Sequence, residues 1–290
     1  MPKIRTLVRS AILAVPTVFV RSYERAVASM RPALKGVVCG HIVDDIFTRT
    51  EIVHHNNIDL RLSCPNSTTV FRARTFSQKE PETLEWVDGF MPDSVFWDIG
   101  ANVGLYSIYA GLRHSGLRVF CFEPSVLNVE LLARNIVLNG VKSQLCIVPT
   151  PLSDKSGPSV FRLGKQDRGG ALSAFGVDFG YDGRPIIADL DFELLGFAAD
   201  DLLGYGVPPP NYIKLDVDGI EHLILRGAGK ILANRTVRSV LVEVNDDFAE
   251  QRDQVAMILT ASGFRLRQHS HGKMFDNSVF GNTFNNIWVR

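Results

Sequence analysis

The chain has 290 residues, of which 46% are hydrophobic, and this is enough apolar material for a large buried core. Its 31 basic and 31 acidic side chains balance to a net charge of zero, which argues against a protein whose whole surface binds a polyanion. The balance is uneven, because residues 1–35 carry seven basic side chains and one acidic one. We therefore expect a globular protein with a basic N-terminal arm.

The N-terminal arm, residues 1–35, contains the apolar run Ala11 to Val20. This run falls well short of the roughly 20 residues that a membrane-spanning helix needs. An amphipathic helix, packed on the domain or resting on a membrane surface, is favoured over a secretory signal peptide. The four cysteines form no C-x-x-C pair, which favours reduced, structural cysteines and a cytoplasmic location.

Residues 36–91 form a second segment, which we expect to pack on the core as an N-terminal extension. Within it, "IDLRLSCP" and "TVFRARTFS" alternate in polarity like antiparallel strands.

From residue 92 to 290, short apolar runs alternate with helical stretches, as in βα units around a parallel sheet. The predicted strands are "SVFWDIG", "LRVFCFEP", "SQLCIVPTPLSD", "NYIKLDVDG", "RSVLVEVND", "FRLRQH" and "NNIWVR". An insertion at residues 155–210 separates the third strand from the fourth and itself contains strand-like runs. A segment of this length on a compact scaffold is typical of a lid or a specificity element.

The turn after the first predicted strand, "VFWDIGANVGLYS", is rich in glycine, as in nucleotide-binding α/β proteins. It lacks the dehydrogenase fingerprint, because Asn102 and Leu105 stand where the second and third glycines should be. Asp98 would also repel a pyrophosphate at the start of the following helix. S-adenosylmethionine carries an ammonium and a sulfonium instead of phosphates, so the sequence favours this cofactor.

Three acidic residues follow three consecutive predicted strands, in the order in which the parts of S-adenosylmethionine would lie. Asp98 would anchor the methionyl end, Glu123 would accept hydrogen bonds from the ribose hydroxyls, and Asp154 would accept one from the adenine amine. Gly100 and Gly104 would allow the backbone to approach closely. The full predicted cofactor-binding set is Asp98, Gly100, Asn102, Gly104, Glu123, Pro124, Ser153 and Asp154.

The fourth and fifth predicted strands supply the candidate catalytic residues. Asp216 and Asp218 lie two residues apart and therefore share a face of the strand, and Glu243 follows on the neighbouring strand. One hypothesis makes Asp216 the proton acceptor, supported by Glu243, without a metal ion. The other hypothesis assigns Asp216, Glu243 and Asn245 to a divalent cation, because oxygen ligands from adjacent strand ends suit such an ion. The metal-free hypothesis is favoured.

Five motifs together resemble the FkbM-type S-adenosylmethionine-dependent methyltransferases, a class I Rossmann-like family. These motifs are "VFWDIGANVGLYS", "FCFEPSVLNVELLARNIVLNG", "PLSDKSG", "YIKLDVDGIEHLILRGAGKIL" and "VLVEVN", and the resemblance covers roughly residues 94–290. It implies an α/β fold with a mostly parallel seven-stranded sheet, helices on both faces and an antiparallel last strand. It also implies methyl transfer, most typically to a hydroxyl of a sugar, glycolipid or secondary metabolite.

The expected partner is therefore a small-molecule or glycan acceptor, and no nucleic acid is expected. Residues 1–35 are a candidate for peripheral membrane contact. Two alternatives stay open at this point. The first is an N-methyltransferase that acts on RNA or protein, which only the basic arm favours. The second is a non-catalytic binding module, because a fold does not by itself entail activity.

Overall fold

The computed structural model describes residues 20–290 and divides the chain into two units, with the boundary after Arg49. The boundary lies later in the chain than the one predicted at residue 35, so residues 36–91 are shared between the two units. The apolar run from Ala11 lies outside the described residues, apart from its last residue, Val20. Among residues 20–290, no helix has both the length and the hydropathy needed to cross a membrane.

The described part of the first unit is helical. Residues 20–28 form α1 and Pro32–Thr48 forms α2. Pro32 suits the first turn of α2, where its missing N–H group would have no partner in the helix. The Tyr23 hydroxyl of α1 lies 3.6 Å from the Cys39 thiol of α2, which links the two helices.

The second unit begins with a β-hairpin and two helices. These elements are β1 (Thr50–His55), β2 (Ile58–Ser63), α3 (Ser67–Lys79) and α4 (Pro81–Asp88). Strands β1 and β2 pair antiparallel, and the turn residues Asn56 and Asn57 have φ of 45° and 62°, as a two-residue hairpin turn requires. The strand prediction for "IDLRLSCP" is therefore confirmed.

The strand prediction for "TVFRARTFS" is wrong, because this stretch lies within α3. Its apolar residues fit a helical repeat as well as an alternating one, and Thr69, Ala73 and Phe76 form the buried face. The N-terminal cap of α3 favours the helix over the strand. The Asn66 side chain accepts a hydrogen bond from the Thr69 backbone N–H at 2.9 Å and so caps the helix.

The remaining elements follow the predicted alternation of strands and helices. The strands are β3 (Val95–Ile99), β4 (Arg118–Phe122), β5 (Leu145–Val148), β6 (Leu152–Ser153), β7 (Gly157–Leu163), β8 (Ala174–Phe175), β9 (Leu190–Ala198), β10 (Tyr212–Leu215), β11 (Ser239–Asn245), β12 (Arg265–Ser270) and β13 (Thr283–Val289). The helices are α5 (Leu105–Arg113), α6 (Val126–Leu138), α7 (Glu221–Arg226), α8 (Gly229–Ala233) and α9 (Ala249–Ala261). Two 3-10 helices, Ala199–Tyr205 and Lys273–Phe275, complete the unit.

Seven strands form the main sheet in the order β12-β13-β11-β10-β3-β4-β5. Strand β13 runs antiparallel to both of its neighbours, and the pairs among β11, β10, β3, β4 and β5 are parallel. The central strands are buried on both faces, as the near-continuous apolar runs of β3 and β11 predict. This arrangement confirms the class I, Rossmann-like fold with an antiparallel last strand.

The insertion at residues 155–210 supplies β7, β8 and β9 of a second sheet, in the order β6-β9-β7-β8. Strand β7 pairs antiparallel with β9 along the whole length of β7, which confirms the strand-like runs predicted there. Residues 164–173, between β7 and β8, form a loop without regular structure, which we call the 164–173 loop.

The end of β3 packs directly against the end of β10. The Asp216 N–H donates to the Ile99 carbonyl at 3.0 Å, and Gly100 follows with a φ of +87°. A Cβ atom at Gly100 would overlap the backbone carbonyl oxygen of Asp216. Glycine is therefore required here both for its left-handed backbone and for the space that it leaves.

We expect Gly100→Ala to lower the free energy of unfolding by about 2–4 kcal/mol, because it adds both backbone strain and a clash. Gly140→Ala is the matched control, since Gly140 has a φ of +69° and nothing lies within 4 Å of the added Cβ. Strain alone should cost the control about 1–2 kcal/mol. Urea unfolding of both variants measures the difference, and equal losses would show that the contact with Asp216 does not constrain this position.

Candidate active site

A cavity of about 540 Å³ opens at the carboxyl ends of β3, β4, β10 and β11. This is where the order of the sheet reverses, because β3 lies between β4 and the later strand β10. Open α/β sheets bind their ligands in the crevice at such a point. The volume is that of a small-molecule site.

The turn after β3 forms one wall of the cavity through Gly100 and Asn102. The Asn102 backbone N–H donates to Glu123 Oε2 at 2.8 Å, and its side chain donates to the Gly170 carbonyl at 2.7 Å. Gly104 lies outside the cavity lining. A Cβ atom there would overlap the Leu132 side chain, so this glycine permits helix packing rather than ligand approach.

Asp98 lies behind the turn, with 1% of its surface exposed, and is outside the cavity lining. Its Oδ2 accepts a hydrogen bond of 2.5 Å from the Ser107 hydroxyl, whereas Oδ1 has no hydrogen-bond partner among the described residues. Burial raises the pKa of this carboxyl group. Asp98 is therefore buried beneath the turn and does not line the cavity, and its predicted contact with the cofactor stays a prediction.

Glu123 and Pro124, at the end of β4, both line the cavity. Glu123 is 5% exposed, and its two oxygens accept from the backbone N–H groups of Asn102 and Ser125 at 2.8 Å each. Burial raises the pKa of Glu123 to about 7. The Asn128 side chain is a third donor to this carboxyl group, which leaves part of its four lone-pair capacity for a ligand.

The residues predicted after the third strand lie away from the cavity. Ser153 is buried in β6 and its hydroxyl lies 3.4 Å from Asp154 Oδ1, and neither residue belongs to the lining. The lining at this end instead consists of Thr150, Pro151 and Leu152. An apolar surface thus occupies the position where a carboxylate was expected.

Asp216, Asp218 and Glu243 line the opposite wall, and we call them the acid cluster. Each offers one carboxylate oxygen such that the three oxygens lie within 4.8 Å of one another. The structure therefore brings the three predicted catalytic residues together. Asn245 does not join them, because its amide nitrogen donates to the Tyr181 carbonyl and its amide oxygen accepts from the Asp247 N–H.

The three acids of the cluster have different electrostatic surroundings. Burial alone would raise the pKa of Asp216, but the Lys214 and Lys79 ammonium groups hold it below its usual value. Burial and the nearby Asp216 carboxylate raise the pKa of Asp218 to about 6 and that of Glu243 well above its usual range. Such a spread of pKa values is typical of acid–base sites.

The turn that presents Asp218 is fixed by a buried carboxylate. Glu221 is 1% exposed and accepts from the Val217 N–H at 2.9 Å and from the Gly219 N–H at 3.1 Å. It also accepts a bond of 2.5 Å from the Gln251 side chain of α9. Asp218 itself has a φ of 62°, so these contacts hold a strained backbone in place.

The 164–173 loop covers part of the cavity and contacts both walls. The Gly170 carbonyl accepts from the side chains of Asn102 and Asn128, at 2.7 and 3.2 Å. On the other wall, Asp218 Oδ2 accepts from the Leu172 N–H at 2.6 Å. The loop therefore spans from the turn after β3 to the acid cluster.

Sequence reasoning missed two groups of residues in the cavity. Helix α3 contributes Arg72 and Lys79 to the lining, and Lys214 contacts the acid cluster from inside β10. Arg72 and Lys79 were missed because the alternating polarity of this stretch predicted a strand, whereas it forms the helix α3. A signal for Lys214 was present, because a lysine within the apolar strand "YIKL" implies a buried partner.

A protein-family model described as the methyltransferase FkbM domain matches residues 98–266. The chain is 27% identical over 194 residues to the 31-O-demethyl-FK506 methyltransferase FkbM of Streptomyces tacrolimicus, covering 60% of this chain and 74% of that protein. It is 28% identical over 162 residues to the hexuronic acid methyltransferase AglP of Haloferax volcanii, covering 53% of this chain and 56% of that protein. The chain thus spans little more than half the length of the second relative.

Among solved structures, the chain is similar to a methyltransferase FkbM from Methylobacillus flagellatus KT. The identity is 14% and the TM-score is 0.47, over 69% of this chain and 44% of that chain. The family match extends from Asp98 through the end of β11 and into β12, and so includes the turn after β3, Glu123 and the acid cluster. Because this match covers more than half of the chain, the protein belongs to the FkbM methyltransferase family.

Proposed function

We propose that the protein is an S-adenosylmethionine-dependent O-methyltransferase whose acceptor is a hydroxyl of a sugar, glycolipid or secondary metabolite. The observation that carries the proposal is that a single cavity is lined both by the turn after β3 with Glu123 and by the acid cluster. Two relatives support the acceptor class, since their names specify a demethylated FK506 and a hexuronic acid.

The cavity suits S-adenosylmethionine in charge and in shape. Glu123 is a buried acid at the cavity surface, and the acceptor capacity that its protein donors leave unused can take a hydrogen bond from a ribose hydroxyl. Pro151 and Leu152 offer an apolar surface for the adenine ring, and Gly100 and Asn102 bound the methionyl end. The cofactor, when bound, supplies an activated methyl group, and Asp98 and Glu123 disfavour a pyrophosphate in the same place.

We assign the acid cluster to the acceptor hydroxyl. An oxygen that gains a methyl group becomes a protonated ether, which is a far stronger acid than a carboxylic acid. Asp216 can therefore take this proton even though its pKa lies below the usual value. Asp218 and Glu243 complete the polar wall that orients the hydroxyl, and this orientation supplies much of the rate enhancement.

The site is proposed to work without a metal ion. The Lys214 ammonium lies 2.6 Å from Asp216 Oδ2 and already neutralises one oxygen of the set predicted for a cation. Asn245, another member of that set, uses both amide atoms in local hydrogen bonds. We also propose that residues 155–210 and α3 shape the side of the cavity that receives the acceptor.

We expect cofactor affinity to depend on Glu123. We expect Glu123→Gln to weaken S-adenosylmethionine binding at least about tenfold, because the amide presents an N–H group where backbone and ribose donors need an acceptor. Asp154→Asn, a neutralised acid outside the cavity, should bind within about twofold of the parent chain. Calorimetric titration measures both. A larger loss at Asp154 than at Glu123 would reverse this assignment.

We expect the chemical step to depend on Asp216. Asp216→Asn should lower kcat by about 100-fold or more with cofactor affinity retained, since the amide cannot accept the acceptor's proton. Asp246→Asn at the same sheet edge, outside the cavity lining, should retain kcat. Mass spectrometry of a glycan panel, which detects a cofactor-dependent gain of one methyl group, provides the assay. Wild-type rates in Asp216→Asn would exclude this residue as the proton acceptor.

We expect removal of metal ions to leave methyl transfer intact. Turnover should be unchanged after dialysis against a chelator, because the proposed proton transfer uses carboxylates alone. The control is the same dialysed sample with Mg²⁺ added back, which should have no effect. A loss of turnover that Mg²⁺ restores would instead assign the acid cluster to a divalent cation.

A further inference from the structure

Lys214 lies in the middle of β10 and is 1% exposed. Its neighbours in the strand, Ile213 and Leu215, are buried apolar residues, as a central parallel strand requires. A lysine is almost never fully buried unless a partner compensates its charge. Its presence here therefore requires a specific set of partners.

The Lys214 ammonium contacts one carboxylate directly. Nζ lies 2.6 Å from Asp216 Oδ2 and 5.1 Å from the centre of the Tyr106 ring. Lys214 and Asp216 are two residues apart in an extended segment and so emerge on the same face of the sheet. Asp98 pairs with Lys214 in the register of β3 and β10, which places its carboxylate beside the same ammonium.

The charges around Asp216 come from several elements. The cationic groups that interact electrostatically with Asp216 are Lys214 of β10 and Arg72 and Lys79 of α3. The acidic and phenolic groups are Glu80 directly after α3, Asp98 of β3, Tyr106 of α5, Asp218 and Glu221 after β10, and Glu243 of β11. Lys79 forms its ion pair with Glu80, at 2.5 Å. Among the described residues, Lys214 is thus the cation that forms a hydrogen bond with Asp216.

Because of this contact, the two carboxylate oxygens of Asp216 differ in their surroundings. Oδ2 is held by Lys214, whereas Oδ1 has no hydrogen-bond partner among the described residues, and Asp216 lines the cavity. A carboxylate held by one oxygen cannot rotate freely, so its other oxygen keeps one direction. We propose that Lys214 is a positioning residue that orients Asp216 toward the acceptor hydroxyl. This inference rests on the proposed O-methyl transfer.

A merely structural role for Lys214, as countercharge to Asp98 and Glu80, makes a different prediction. If Lys214 acts on the reaction only through Asp216, its removal has no further effect on turnover once Asp216 can no longer accept a proton. If Lys214 instead supports the fold in general, its removal lowers turnover in either background. A double-mutant cycle separates the two cases.

The cycle comprises the parent chain, Lys214→Met, Asp216→Asn and the double variant, with Lys214→Arg as the conservative variant. Methionine keeps most of the volume of lysine without its charge. We expect Lys214→Met to lower kcat by about 100-fold with cofactor affinity within about threefold of the parent. Lys214→Arg should recover about a tenth or more of the parent kcat, because it keeps the cation. The double variant should match Asp216→Asn alone.

The possible outcomes test the positioning role of Lys214 and the proposed function separately. Parental kcat in Lys214→Met, or a further loss when Lys214→Met is added to Asp216→Asn, would overturn the positioning role. If Lys214→Met alone does not fold, the comparison of the double variant with Asp216→Asn still decides, because removing both charges leaves no unpaired member of this ion pair. Absence of methyl transfer by the parent chain itself would instead overturn the proposed function.

Discussion

The packing of Gly100 against the Asp216 carbonyl is the constraint on which the site depends. It joins the turn that bounds one half of the cavity to the strand end that carries the acid cluster, backbone against backbone. An exposed side chain can change its rotamer at little cost, but two strand ends of a close-packed, buried parallel sheet cannot shift relative to each other without disturbing their neighbours. The distance between the predicted cofactor wall and the predicted acceptor wall is therefore set by the sheet and not by the loops.

The rest of the cavity is lined partly by residues inside the family match and partly by residues outside it. Residues matched by the family model supply Asn102, Glu123 and the acid cluster. Helix α3, which precedes the family match, supplies Arg72 and Lys79, and the segment that follows the match supplies Phe275 and Asn285. The cavity is therefore built both from residues inside the family match, which include the strand ends and the 164–173 loop, and from segments that the family model does not cover.

The sequence allowed prediction of those features that follow from strand order. Asp216, Asp218 and Glu243 meet because the carboxyl ends of neighbouring parallel strands share one edge, and the same reasoning placed Glu123 on the cavity. It could not tell that Asp98 faces the interior below the turn or that Asp154 lies beyond the lining, since both depend on local backbone direction. A lid or specificity element was expected within residues 155–210, but the contacts of the 164–173 loop with Asn102 and Asp218 were beyond prediction, because they join residues far apart in the chain.

Strand β13 has a consequence for how the fold can be dissected. It is the last strand in the chain, yet it lies between β11 and β12, and Asn285 donates to the buried Glu82 of α4 at 2.7 Å. A fragment trimmed to residues 98–266 would lose both α4 and β13, leaving the edge of β11 open to pairing with other chains. The limits of the family match therefore differ from those of the compact unit, and a fragment that keeps these contacts has to reach from the first hairpin to the C-terminal strand.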